Sequence, residues 1–320
     1  MTGYADGLTA LPPGDHLLEM TLPNFLIIGA QKAGTSAIYA YLSQHPQVFA
    51  SEIKEPAFFA FEGSEVSFAG PDDVRALRYI VRDLERYRQL FQKAGDGARA
   101  GEASTIYMYA PQAAERIRHY IPNAKLIAVL RDPVDRAYSA YRHLVRDGRE
   151  SLSFEKGLAA EPSRTATNWH PIFHYKQRGF YYAQLRRFFE LFSREQIAVY
   201  TYDEFKADPR ALLKSLFVFL GIDPDFRPDL SVRHNVSGIP RSRLLHAIIG
   251  RPSRAKDLVK RLLPAGAARL HAALMSRNIE VSEPRIAKET ERVLREEYRE
   301  DLLQLESLIG RDLSAWRTGP

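Results

Sequence analysis

Gly29-Ala30-Gln31-Lys32-Ala33-Gly34-Thr35-Ser36 brings two glycines, a lysine and two hydroxyls into one short stretch. Glycine lets a backbone turn tightly and approach an anion closely. Lysine adds a mobile cation, and Thr35 and Ser36 add hydroxyl donors. Where such a loop opens a helix, free N–H groups and the helix dipole favour negative charge. The chemistry this suits is holding a nucleotide's phosphates, with Gln31, Lys32, Ala33, Gly34, Thr35 and Ser36 around them. The pattern is not the standard G-x-x-x-x-G-K-[ST], in which lysine follows the second glycine. Here Thr35 follows Gly34 and the lysine stands two places earlier. Lys32 therefore belongs to the loop, near the atom that leaves, and not to the first helical turn. The plainer alternative is a glycine turn with a solvated lysine.

Two other stretches carry candidate chemistry. In Leu130-Arg131-Asp132-Pro133 the guanidinium of Arg131 offers paired donors that match a phosphate. Ser139 lies about two turns into the following helix, within reach of the same anion. The competing readings are an Arg131–Asp135 ion pair and a Ser139 hydroxyl bonded to its own backbone. In Lys54-Glu55-Pro56-Ala57-Phe58-Phe59, Glu55 is placed either as a general base or as a surface carboxylate paired with Lys54. Pro56, Phe58 and Phe59 would stiffen the backbone and exclude water. In the polar, basic stretch from Arg233 to Ser242, Arg241 is the candidate to close over the nucleotide.

The elements that must position these residues alternate. Phe25–Ile28 is a short apolar run of the kind buried on both faces of a parallel sheet. A helix is expected from Gly34 to Gln44, with His45 as a C-terminal cap partner and Pro46 closing it. Lys125–Leu130 reads as a second buried strand, followed by Asp132 as N-cap and Pro133 as first helical residue. That helix should end near Asp147-Gly148. Further strands are expected at Ala98–Ala103 and Ile197–Thr201, and helices at Ala113–Tyr120, Tyr181–Phe192 and Pro209–Leu220. Alternation of this kind argues an α/β fold with a parallel sheet, whose ligands bind at the carboxyl ends of strands. Segments 61–75 and 146–175 read as loops, and Glu283–Trp316 as one long charged helix with Trp316 as a tail anchor.

Composition narrows the function classes. With 45% hydrophobic and 26% charged residues the chain reads as globular, not disordered. It has no cysteine, which excludes disulfides, thiolate metal sites and cysteine nucleophiles together. No metal is expected: no H-x-x-x-H pair falls on a predicted helix, and no apolar strand ends in an obvious Mg²⁺-binding aspartate. The opening twenty residues lack a basic and an apolar region of the signal-peptide kind, and no apolar run is long enough to span a membrane. A soluble, cytoplasmic protein is the expectation. Net charge is +6, yet Arg241–Arg277 alone carries +8, leaving the rest of the chain at −2. That segment could steer an acidic acceptor or touch anionic lipid peripherally. It lacks interleaved aromatics for base stacking, so nucleic acid is not the expected partner.

Three segments together resemble the sulfotransferases that use 3′-phosphoadenosine 5′-phosphosulfate (PAPS), particularly the branch of the heparan-sulfate sulfotransferases and their bacterial relatives. Phe25–Ser36 is similar to that family's 5′-phosphosulfate loop, Lys54–Phe59 to its K-E-P-x-F-F segment, and Leu130–Tyr141 to its 3′-phosphate motif. The likeness runs from about Pro23 to Gly221. It implies PAPS as co-substrate, Lys32 and Glu55 as catalytic residues, and a hydroxyl or amine acceptor on a carbohydrate, lipid or small metabolite. Gly34, Thr35 and Ser36 would hold the 5′-phosphate, and Arg131 and Ser139 the 3′-phosphate. The expected fold is a P-loop-like three-layer α/β arrangement, a central parallel β-sheet flanked by helices, plus a helical C-terminal region. Residues 1–20 would be an arm, 21–240 the PAPS-binding domain and 241–320 a helical extension packed on it. Some polysaccharide sulfotransferases carry histidine where this chain has Ala57; a partner for Glu55 is then either missing or supplied from elsewhere, with Glu62 as candidate. The competing readings are a P-loop kinase or NTPase with a displaced lysine, and a non-catalytic module binding anions or nucleic acid through 241–277.

Overall fold

A computed structural model describes residues 22–231, 239–240, 279–280 and 286–319. Five strands form one parallel sheet: β1 (Phe25–Gly29), β2 (Val48–Ala50), β3 (Arg99–Ala103), β4 (Lys125–Leu130) and β5 (Ile197–Thr201). Their order is β2-β3-β1-β4-β5. Two short strands, β6 (Ile239–Pro240) and β7 (Ile279–Glu280), pair antiparallel apart from it. The helices are α1 (Thr35–Leu42), α2 (Phe58–Phe61), α3 (Val74–Leu77), α4 (Leu84–Gln89), α5 (Ala113–Tyr120) and α6 (Pro133–Arg146). They continue as α7 (Phe154–Ala166), α8 (Tyr181–Leu191), α9 (Tyr202–Ala207), α10 (Pro209–Leu220), α11 (Lys288–Ile309) and α12 (Ser314–Thr318).

The sheet is laid down from its centre. From β1 the chain builds one side through β2 and β3, then crosses to β4 and β5 on the other. Strand order therefore reverses at β1, where an open α/β sheet leaves a crevice at its carboxyl edge. All five residues of β1, and Leu126–Leu130 of β4, are buried, as their continuous apolar runs require. β1 and β4 pair in step from Phe25↔Lys125 to Ile27↔Ile127, and then Gly29 faces Ala128. That slip marks the point where strand gives way to loop.

Local signals set most boundaries. Asp132 caps α6 by accepting from Val134 N at 2.8 Å and Asp135 N at 3.2 Å, and Pro133 opens the helix. Asp208 and Pro209 repeat the device for α10, which ends on Gly221 at φ 68°. The helix after the first loop begins at Thr35, because Gly34 at φ 86° is its left-handed cap. His45 departs from its expected role as a cap. Its Nδ1 accepts from Gln47 N at 3.1 Å and its Nε2 donates to Asp223 O at 3.0 Å, tying the turn after α1 to the segment beyond α10.

Two regions depart from the sequence reading. The stretch 146–175 is not a loop; it contains the 13-residue helix α7, capped by Ser153 on Lys156 N at 3.3 Å. Gly157 and Pro162 obscure its period, yet Gly157 lets the Tyr175 ring approach closely, since a Cβ there would sit 3.1 Å from it. The C-terminal helix stops at Gly310, whose φ of 66° ends it, and α12 follows as a separate turn. Trp316 on α12 is buried, and its indole N–H donates to Asp203 at 3.2 Å. No helix among the described residues is long and apolar enough to cross a membrane.

Candidate active site

Loops at the carboxyl ends of β1 and β4, with the segment after β2, surround one cavity of about 470 Å³. From the first loop come Gln31, Lys32, Gly34, Thr35 and Ser36. From the β4–α6 junction come Arg131 and Ser139, and from the segment after β2 come Lys54, Glu55 and Ala57. Three stretches distant in sequence thus meet at one site. Ala33 does not line it: the residue is fully buried, and its N–H donates to Ala30 O at 3.3 Å. Arg241 and the basic segment 241–277 lie outside the described residues, as do residues 1–20.

The site holds its backbone in unusual shapes. Among the described residues five non-glycine positions have positive φ, and three of them are Lys32 (68°), Glu55 (60°) and Ala57 (54°) on this cavity. Such conformations cost about 1–2 kcal/mol each and persist only where surrounding contacts over-determine them. Gly34 relieves the same cost in the first loop, and a Cβ there would come within 3.0 Å of the Tyr202 ring.

Those contacts are visible around Glu55. Glu55 N donates to Ala103 O at 3.0 Å, Ala57 N to Ser104 Oγ at 3.0 Å, and Val81 N to Pro56 O at 2.8 Å. Ser104 Oγ in turn donates to the buried carboxylate of Glu102 at 2.8 Å, which Tyr87 OH also reaches at 3.1 Å. Phe58 and Phe59 are fully buried; Phe58 stacks on Tyr87 with centroids 4.4 Å apart. The Glu55 carboxylate accepts from Thr105 N at 2.8 Å and Thr105 Oγ1 at 3.1 Å, and pairs with Lys54 Nζ at 3.1 Å. Its side chain remains 36% exposed toward the cavity. Glu62 is not its partner: Glu62 accepts from Tyr120 OH and pairs with Arg116 at 3.6 Å. Thr105 and Lys54 fill that place. α2 points Glu62 away, toward α5.

Positive charge gathers opposite. Burial first, then the charges of Arg146, Arg131 and Lys54, lowers the Lys32 ammonium to about 8. Burial and Lys32 push the imidazole of His143 down to about 4. Arg131 is only loosely held at its tip: Nη1 reaches Lys32 O at 3.4 Å, Nη2 faces Asp135 at 3.5 Å, and the guanidinium lies over the Tyr202 ring at 4.9 Å. Its Nε and the Oε1 of Gln31 are buried without a protein hydrogen-bond partner. Cations that depress one another around a cavity, with the Arg131 Nε donor unspent, suit an anion of several charges.

Sequence reading missed several cavity residues. His143 stands one turn beyond Ser139 on α6, so the helical period alone points to it. Thr105, His170 and Arg178 also line the cavity and carry no motif. Arg178 is buried, donates to Thr105 O at 2.9 Å and lies 5.4 Å from the Tyr109 ring centroid. Phe180 and Tyr182 stay off the cavity, and Tyr181 packs in the core with its hydroxyl on Arg131 O at 2.9 Å.

Known proteins resemble this chain in sequence and in fold. A mouse bifunctional heparan sulfate N-deacetylase/N-sulfotransferase 4 is 29% identical over 64% of this chain and 23% of its own length. A Caenorhabditis elegans N-deacetylase/N-sulfotransferase 1 is 28% identical over 73% of the chain and 26% of its own length. The chain thus spans about a quarter of the length of these curated relatives. The crystal structure of a sulfotransferase from Alicyclobacillus acidocaldarius is 35% identical, with a TM-score of 0.72 over 92% of this chain and 98% of that one. Residues 23–227 match the family model described as "Sulfotransferase family", and they contain every strand of the main sheet and all three cavity segments: the chain belongs to the sulfotransferase family.

Proposed function

We propose that this sulfotransferase takes its sulfuryl group from PAPS and passes it to a hydroxyl or amine of a carbohydrate acceptor. One observation carries the reading: Lys32, Arg131, Ser139 and Glu55, each from a different motif segment or helix turn, line a single cavity. The first loop and the start of α1 cradle the 5′-phosphosulfate, with N–H groups and the Thr35 and Ser36 hydroxyls as donors. Arg131 and Ser139 take the 3′-phosphate, for which the unspent Nε of Arg131 is suited. Glu55 accepts the acceptor's proton as its oxygen or nitrogen bonds to sulfur. The bond from sulfur to the 5′-phosphate oxygen breaks, and Lys32 balances the charge that develops there. The products are the sulfated acceptor and adenosine 3′,5′-bisphosphate. Positioning and charge stabilisation dominate such transfers, and one preorganised donor contributes about 3–4 kcal/mol by analogy with oxyanion holes.

Support for a carbohydrate acceptor comes from the heparan sulfate relatives named above. A kinase-like reading has less support, because Asp132 at the end of β4 is committed as a helix cap and to Arg295 at 2.9 Å. The test is transfer of labelled sulfate from PAPS to N-desulfated and O-desulfated polysaccharides, to mono- and disaccharides, and to simple alcohols. Transfer to a saccharide with release of adenosine 3′,5′-bisphosphate is expected. Transfer to alcohols alone would reject the acceptor class, and stabilisation by ADP–Mg²⁺ but not by the bisphosphate would reject the donor.

A further inference from the structure

The geometry points to Arg295 and Tyr181 as positioning residues for Arg131, and through it for the 3′-phosphate; this rests on the donor reading above. Few protein contacts orient the Arg131 guanidinium, so its place depends on how its backbone is anchored. The anchors come from outside the β4–α6 segment. Tyr181 OH donates to Arg131 O at 2.9 Å. Arg295 Nη1 donates to Asp132 Oδ2 at 2.9 Å, while Asp132 Oδ1 caps α6. One carboxylate therefore joins the residue after Arg131, the helix that carries Ser139, and α11.

Both anchors are themselves fixed by the C-terminal region. Arg295 donates to Glu291 Oε1 at 2.8 Å and 3.0 Å and to Trp316 O at 2.7 Å. Its side chain is 10% exposed and that of Asp132 12%, so solvent screens the pair little. At Tyr181 the first turn of α8 has no cap from its own segment, because Phe180 stands at the N-cap. Asp301 of α11 supplies it, accepting from Tyr181 N at 2.8 Å and Tyr182 N at 3.1 Å. Tyr298 adds a hydrogen bond to Lys176 O at 2.9 Å and an edge contact with Phe180 at 4.9 Å. α11 lies beyond the residues that match the family model, yet it grips the 3′-phosphate arm from behind at two points.

The experiment compares dissociation constants of adenosine 3′,5′-bisphosphate and adenosine 5′-phosphate, by calorimetry on the full chain. The 5′-phosphate constant divided by the bisphosphate constant isolates the contribution of the 3′-phosphate. Arg295→Ala and Tyr181→Phe should each cut that ratio about tenfold, the lower end of what outer partners contribute at metal sites. The 5′-phosphate constant should stay unchanged. In an Arg131→Ala background, adding either substitution should change the ratio no further. Should Arg295→Ala fail to fold, Arg295→Lys and Tyr181→Phe carry the same expectation. Equal weakening of both nucleotides, or a full ratio in the folded variants, overturns the inference. A wild-type chain that does not distinguish the two nucleotides overturns the donor reading instead.

Discussion

At the scale of single residues, the site is marked by where the backbone bears strain. Lys32, Glu55 and Ala57 adopt left-handed conformations that side chains disfavour, and all three face the cavity. Glu55 gains from this a carboxylate held by Thr105 but still open to an acceptor. Glu55→Gln retains the shape and can keep bonds to Thr105 while losing the basic oxygen. It should lower kcat by about 10²–10⁴-fold and leave the Kd for adenosine 3′,5′-bisphosphate within about twofold of wild type, as measured by single-turnover assays and calorimetry. An unchanged kcat would remove Glu55 from the chemistry. Lys32 yields a pH test. Its ammonium titrates near 8, so the charge it offers an anion in the cavity is present below that pH and lost above it. Affinity for the bisphosphate should fall by up to about tenfold per pH unit above 8, and Lys32→Arg, charged throughout, should flatten the profile.

At the scale of elements, β3 does more than fill the sheet. Its Arg-Ala-Gly-Glu-Ala sequence places one carboxyl, Glu102, wholly inside the protein, beside β1 and beneath the Glu55 segment. Gly101 is required there because a Cβ would fall 2.4 Å from the Phe25 ring. Burial raises Glu102 from the ordinary 4.5 to about 7, with Tyr107, Ser104 and Tyr87 opposing. The folded value exceeds the unfolded one. Its stabilising contribution is therefore complete below about pH 4.5 and lost as pH rises through about 7. Glu102→Gln should remove that dependence. Relative to the variant, wild type should lose on the order of 3 kcal/mol between pH 4.5 and 8 in denaturant titrations. Parallel profiles for the two proteins would show that Glu102 does not titrate in this range.

At the scale of the whole molecule, the cavity joins parts of the chain that lie on opposite sides of the central strand. The Glu55 segment belongs to the β2–β3 side and Arg131 to the β4–β5 side, with the Lys32 loop between them. A ligand spanning all three would contact both sides of the sheet across its switch point. Adenosine 3′,5′-bisphosphate at one hundred times its Kd should stabilise the protein by about 2.7 kcal/mol, read as a rise in Tm. ADP with Mg²⁺ at the same concentration should raise it less. A larger rise with ADP–Mg²⁺ would contradict the assignment of Arg131 and Ser139 to the 3′-phosphate.

The sequence by itself determined what local chemistry controls. Apolar runs marked β1 and β4, Asp-Pro pairs marked the starts of α6 and α10, and the order of glycines, lysine and hydroxyls marked the loop that lines the cavity. It also contained His143, which the period of α6 sets on the same face as Ser139. Contacts between distant segments carry no such signal. Nothing near Glu55 in sequence announces Thr105 as its partner, and nothing near Arg131 announces Arg295, which stands far along the chain. Only the folded sheet, by bringing the ends of β1, β3 and β4 to one edge, decided those pairings. Only the packing of α11 on α8 and α6 decided that the C-terminal region would brace Arg131. A hydrogen bond depends on where two groups meet in space, while local sequence governs only the few residues around each of them.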